Sequence, residues 1–170
     1  EELETMETEA PQILEEARDA TGRNAAHFAA EKGCKTILQY ISTKAPSLLV
    51  FPDDDGASPA HVAAIWDQAS ILSFLSSLHP SVLSSRDVDG LTPGHMAARE
   101  GCVGVISWIA QKDAALLLLQ DKTGWTPCHL AAHNGNVTAL RLILDIAPET
   151  AAYRGDKDER PSDVAAPACT

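Results

Sequence analysis

Four histidines in this chain, His27, His61, His95 and His129, stand 34 residues apart, inside the phrases RNAAHFAA, ASPAHVAA, LTPGHMAA and WTPCHLAA. A period of this length constrains the fold more than any other feature. It means one supersecondary unit per repeat, each too small to bury its apolar face except by stacking on a neighbour. Other residues keep the same register. Asp19, Asp53, Asp87 and Asp121 stand eight residues before each histidine, and Gly22, Gly56, Gly90 and Gly124 five before. Gly33, Gly101 and Gly135 stand six after, with Asp67 in that place in the second copy. Pro46, Pro80 and Pro148 share a further phase, and RPSDVAA puts Asp163 where a fifth histidine would fall.

The unit reads as two helices and a turn. Thr126 is a good helix N-cap, Pro127 suits the first helical position, and His129 falls at the third. Ala131 and Ala132 let neighbouring helices approach closely, and Gly135 supplies the left-handed residue that ends the helix. A second helix follows in VTALRLILDI, with Val137, Leu140, Ile143 and Leu144 predicted on one apolar face. Asp121 to Gly124 (DKTG) is turn chemistry between units.

The pattern D-x-x-G-x-T-P-x-H-x-A-A-x-x-G followed by a second apolar-periodic stretch resembles the ankyrin repeat, over residues 19–166. The family's usual period is about 33 residues; the additional residue here lies near the proline that follows the second helix. The resemblance implies an all-α ankyrin-repeat solenoid, stacked helix-turn-helix units joined by turn or hairpin loops, as one domain over 1–170. Repeats are expected at 19–52, 53–86, 87–120 and 121–154, with a partial C-terminal repeat at 155–170. APQILEEARD (10–19) is similar to APETAAYRGD (147–156), at a spacing one residue longer. Residues 1–18 therefore read as the tail of a truncated or capping repeat, and further repeats are expected upstream. Pro161 to Ala166 is expected to form a first helix that Pro167 limits.

The net charge is −11, yet residues 1–19 alone carry eight acids and one base, so the acidity is mainly N-terminal. A nucleic-acid partner would need a basic stripe, which is lacking, so none is expected; a basic peptide partner is compatible with the charge. No apolar run approaches the roughly 20 residues of a membrane helix. Cys34, Cys102, Cys128 and Cys169 form no CxxC pair and read as reduced thiols, which places the chain in the cytoplasm or nucleus.

The repeat places His27, His61, His95 and His129 in structural roles, hydrogen-bonded near the Thr-Pro turn and the adjacent loop as the resemblance implies. His129 and His133 (HLAAH) have metal-ligand spacing, but Leu130 stands where a zinc-protease helix carries glutamate. Asp53, Asp54 and Asp55 lack the ligand pattern of a calcium loop. No nucleophile elbow, phosphate loop or carboxylate pair appears, so neither catalysis nor a metal or cofactor is expected.

The resemblance implies binding on a concave face built from loop tips and the exposed ends of first helices. Carried over residue by residue, that face comprises Asp54, Asp55, Ile65, Trp66, Leu91, Arg99, Glu100, Trp125 and His133, with Val88, Asp89 and Lys122 among the other tip positions. Ile65 and Trp66 break the pattern, since polar residues are usual there, and an exposed apolar pair marks a contact surface. The alternative for Trp66 and Trp125 is packing on a neighbouring repeat; Trp108, on the second-helix stripe, is expected in the core. Asp54 and Asp55 beside an aromatic suit a lysine- or arginine-bearing peptide, methyl-lysine being a narrower version. The expected function is a non-catalytic interaction module for a partner protein or peptide. The alternative is a regulatory or targeting arm of a larger enzyme, channel or secreted effector.

Overall fold

The computed structural model describes residues 16–165. The segment matched as a repeat tail, up to residue 15, and Ala166, Pro167 and Cys169 lie outside the described residues. Among the described residues, helices form four pairs: α1 (Ala25–Glu31) with α2 (Lys35–Lys44), α3 (Pro59–Ile65) with α4 (Ala69–Leu78), α5 (Pro93–Glu100) with α6 (Val103–Asp113), and α7 (Pro127–His133) with α8 (Val137–Ile146). A 3-10 turn follows each second helix, at Pro46–Leu49, Pro80–Leu83, Ala114–Leu118 and Pro148–Ala152. No strand occurs among the described residues. First helices stack α1 on α3 on α5 on α7, and second helices stack α4 on α6 on α8.

Local chemistry explains each pair. Asn24, Ser58, Thr92 and Thr126 are extended N-cap residues whose side chains accept the backbone N–H at the third helical position. The histidine there returns the bond by accepting the cap residue's own N–H, so histidine takes the part that Glu or Gln plays in an ordinary capping box. Ala29–Ala30, Ala63–Ala64, Ala97–Ala98 and Ala131–Ala132 are all buried between first helices, and their small side chains permit that close stacking. Second helices bury Leu38 and Ile41, then Leu72 and Leu75, then Ile106 and Ile109, then Ile143. In α8 the inward face centres on Ala139 and Ile143. Val137, expected inward, is 54% exposed because it is the first residue of the helix.

The same histidines join one repeat to the next. Nε2 of His27 lies 2.9 Å from the carbonyl of Ala57, that of His61 3.1 Å from Leu91, that of His95 3.0 Å from Trp125 and that of His129 3.3 Å from Glu159. Nδ1 faces the cap residue's backbone N–H at 3.1 to 3.2 Å in all four. A backbone N–H can only donate, so Nδ1 is unprotonated, and Nε2–H donates to the carbonyl. All four rings are the same neutral tautomer.

The last unit departs from expectation. Residues 161–163 form a turn rather than a helix. Asp163 keeps half the histidine's role: its Oδ2 accepts the Arg160 N–H at 2.8 Å, which holds its carboxyl below the usual range. A carboxylate has no proton to pass on to a following carbonyl.

Burial pushes all four imidazoles below their ordinary value, His95 to about 4 from 6.5. Above pH 6.5 both folded and unfolded chains hold neutral rings, and the stabilisation is complete. As pH falls below 6.5 the unfolded chain binds protons first, so stability is lost until the folded ring is itself protonated, near pH 4 for His95. Urea unfolding followed from pH 7 to pH 4 should show a falling midpoint, with His95 accounting for on the order of 3 kcal/mol. His95→Gln should be less stable at pH 7 but lose less over that range; equal pH slopes in the two proteins would refute this.

Candidate partner-binding face

The loop tips are hydrogen-bonded fingers. In the third, Asp87 Oδ1 accepts the N–H groups of Asp89 at 2.9 Å and Leu91 at 2.8 Å, and Asp87 N–H donates to the Leu91 carbonyl at 3.0 Å. Asp19, Asp53 and Asp121 act alike, accepting from residues two and four further on. Adjacent fingers are tied by single backbone bonds: Asp54 N–H to Thr21 O at 3.1 Å, Val88 N–H to Asp55 O at 2.9 Å, and Lys122 N–H to Asp89 O at 3.1 Å. The carboxylate run at 53–55 therefore divides. Asp53 is spent on its own loop, whereas Asp54 and Asp55 are exposed.

An open cleft of about 390 Å³ lies where the fingers of repeats two and three meet α3 and α5. Ala57, Val62, Ile65 and Met96 form its apolar floor, Trp66 and Val88 its walls, and Asp55 and Asp89 its acidic edge. Trp66 is 54% exposed and Val88 50%. Arg99 also lines it, paired with Glu100 at 3.0 Å, as does Arg23, paired with Glu31 at 2.6 Å. Lys32, the first residue past α1 and bonded to Glu31, stands with its Nζ 5.9 Å from the Trp66 ring centroid. Those two cations hold the Glu31 carboxyl below its usual range, Lys32 contributing most.

Of the nine residues expected on the face, the cleft brings together Asp55, Ile65, Trp66 and Arg99. Asp54 is exposed on the neighbouring finger, and Glu100 is exposed beside Arg99. Leu91, expected at the groove's edge, is only 7% exposed; its backbone closes the Asp87 finger and accepts from His61. Val62, Val88, Asp89 and Met96 complete the cleft. Val88 and Asp89 follow from register, one repeat after Asp54 and Asp55. Val62 and Met96 each directly follow a repeat histidine, a shared position that carries the signal.

Trp66 stands at a position that is exposed in every repeat, where Lys32, Glu100 and Asn134 stand in the others, and its repeat also ends differently. Asp67 stands in the left-handed conformation (φ 51°) that glycine adopts at the same place in the other repeats. Its Oδ1 accepts the Val105 N–H at 2.7 Å, capping the second helix of the next repeat. A Cβ on Gly104 would lie 2.9 Å from both Asp67 carboxylate oxygens. Thr36, Ser70 and Thr138 occupy the Gly104 position elsewhere, so two departures from register, Asp67 and Gly104, fit one another.

Trp125 is packed rather than free. Its indole N–H donates to Glu159 Oε1 at 2.7 Å, its ring stacks on His129 with centroids 5.9 Å apart, and His133 meets it edge-on at 5.3 Å. The indole N–H holds the Glu159 carboxyl below its usual range. With both His129 nitrogens committed, HLAAH is not a metal-ligand pair. Trp108 packs partly buried against the core, with Lys112 Nζ 5.6 Å from its ring. Cys102 and Cys128 are buried thiols pushed above their usual value by that burial, the reverse of an activated nucleophile.

Gly155 tests the packing of Trp125. A Cβ there would lie 2.6 Å from Trp125 Cδ1 and 2.8 Å from Glu159 Oε1. Gly155→Ala should displace the indole, red-shift its emission and cost about 1–3 kcal/mol. The emission is read in a background carrying Trp66→Phe and Trp108→Phe, and an unshifted spectrum at unchanged stability would contradict the packing.

Residues 77–154 match the family model for ankyrin repeats, described as three copies. No curated protein matches the chain. Among the described residues no helix is long and apolar enough to cross a membrane. The match and the stacked helix pairs, whose 34-residue unit begins at residue 19, agree on one architecture: residues 77–154 are similar to the ankyrin repeat family, and the described helix pairs ahead of them repeat the same unit.

Proposed function

We propose that this chain is a non-catalytic module that binds a partner protein through the cleft between repeats two and three. Ankyrin repeats are generally protein–protein interaction modules, and the finer reading names the face and the partner's chemistry. The observation that carries it is Trp66, 54% exposed beside an apolar floor and an acidic edge. A half-exposed tryptophan in a cleft is a typical interface anchor, and a fixed stack of repeats keeps the ordering cost of binding low. The free thiols of Cys34, Cys102 and Cys128 support a reducing, intracellular setting.

The edge favours a basic partner. Asp55 and Asp89 occupy the same finger position in successive repeats and are exposed, and their carboxylates have no ion pair among the described residues. Stacked units repeat at roughly 10 Å, and a polyproline II segment advances about 3.1 Å per residue and returns to the same face every three residues. Two basic side chains three residues apart in such a peptide therefore match the two carboxylates, with an apolar residue between them beside Trp66 and Val88.

Fluorescence anisotropy with short labelled peptides tests this. Peptides carrying two arginines around a leucine, spaced two, three or five residues apart, should bind tightest at three. Trp66→Ala should weaken that binding about tenfold or more, the loss of an anchor residue. Asp55→Asn with Asp89→Asn should weaken it and flatten its salt dependence. Affinity indifferent to arginine spacing and to Trp66 would reject the reading.

A further inference from the structure

The fingers are laced together unevenly. Arg86 Nη1 donates to the Gly90 carbonyl of its own finger at 2.7 Å and to the Gln120 carbonyl, one repeat on, at 2.6 Å. Gln120 Nε2 does the same, to Gly124 at 2.7 Å and to Arg154 at 3.4 Å. Arg18 and Arg154 make the first of these two bonds, to Gly22 and Asp158. Repeat two has Pro52 in this register, and a proline side chain has no donor. Among the described residues the Gly56 carbonyl has no such partner, and no side chain reaches from position 52 to repeat three.

A second lace is missing at the same junction. Lys122 Nζ donates to the Val88 carbonyl, tying the fourth finger to the third. One repeat earlier that place is held by Val88 itself, whose side chain can donate nothing to the second finger. Three bonds thus join fingers three and four: Arg86 to Gln120, Lys122 Nζ to Val88, and Lys122 N–H to Asp89. One bond joins fingers two and three, Val88 N–H to Asp55, and one joins fingers one and two, Asp54 N–H to Thr21. The cleft lies at this thinly laced junction. Its floor does not share the freedom: α3 stacks on α5, and His27 and His61 pin the bases of the second and third fingers at Ala57 and Leu91.

We propose that the finger of repeat two, residues 53–56, is the moving wall of the cleft. It swings about its pinned base at Ala57, away from the third finger to admit a partner segment and back to close on it. Fingers three to five move as one body. Segments with few cross-links open locally well below the free energy of global unfolding. Asp55 travels with the moving wall, while Val88 and Asp89 stay with the fixed one. This deepens the reading of the cleft as a partner site and rests on it for its use. The motion is measured on the free chain, so a failed peptide assay and a failed exchange assay are separate results.

Native-state hydrogen exchange of the full chain tests it. The Val88 and Lys122 amides make the same bond at successive junctions, at 2.9 and 3.1 Å. Corrected for intrinsic rates, the Val88 amide should be about tenfold or more less protected, as the two absent laces imply. Pro52→Arg, which restores a donor, should raise the protection of the Val88 and Gly56 amides severalfold. Arg86→Ala with Lys122→Ala should bring the amide of residue 122 down to the Val88 level, with unchanged α3 and α5 amides showing that the array is folded. Equal protection of Val88 and Lys122 in the wild type would overturn the proposal. So would a Val88 amide indifferent to Pro52→Arg in a chain whose helix amides are unchanged.

Discussion

Each repeat histidine spends both ring nitrogens across a repeat boundary, and the rest of the array depends on that arrangement. Nδ1 holds the N-cap of its own first helix, and Nε2–H holds a carbonyl at the base of the next finger. One neutral imidazole thus fixes where a helix starts and where the neighbouring finger stands. It does so in buried surroundings, where leaving either partner unpaired costs about 1–3 kcal/mol. Protonation would set a second N–H against the N-cap donor, which is why burial and geometry both favour the neutral ring. The junction recurs from His27 to Ala57, His61 to Leu91, His95 to Trp125 and His129 to Glu159. In a stack where each unit contacts only its neighbours, such junctions carry a large share of the coupling.

The proposed binding cleft lies where the repeat is broken. At the end of α3 the left-handed residue is Asp67 instead of glycine, and its carboxylate caps α6 through the Val105 N–H. The corresponding link between repeats three and four has the opposite polarity: Asn136 Nδ2 donates to the carbonyls of Ala98 at 3.1 Å and Arg99 at 2.6 Å. The Asp67 junction is therefore as firmly held as its neighbours while it carries Ile65 and Trp66 in place of polar residues. Exposed apolar surface beside a rigid junction persists as a feature of the folded state rather than as a site of local unfolding.

The fold was legible because its signals repeat: helix starts, paired alanines and turn glycines each occur several times in one register. The cleft was half legible. Ile65 and Trp66 stood out as departures from the pattern, and Asp55 and Arg99 followed from the family's geometry. Leu91 lies inward because its backbone closes the Asp87 finger and accepts from His61 of the preceding repeat, and of the two readings open for Trp125 the structure shows packing on the following unit. Trp125 is held by Glu159, 34 residues further on, and lies against Gly155, where the register has aspartate. Those two residues are visible in the sequence, but their bearing on Trp125 appears only when each repeat is read with its successor. Val137 was misjudged because a helix's first residue lies at the edge of the stripe its periodicity defines.

The central claim, that neutral imidazoles of one tautomer hold successive repeats together, is tested most directly by ¹⁵N NMR of the ring nitrogens. At pH 7.5, above the ordinary histidine value, His27, His61, His95 and His129 should all show the shifts and ring couplings of a neutral ring with the proton on Nε2. Imidazolium signals, or a neutral ring protonated on Nδ1, at any of the four would contradict the account.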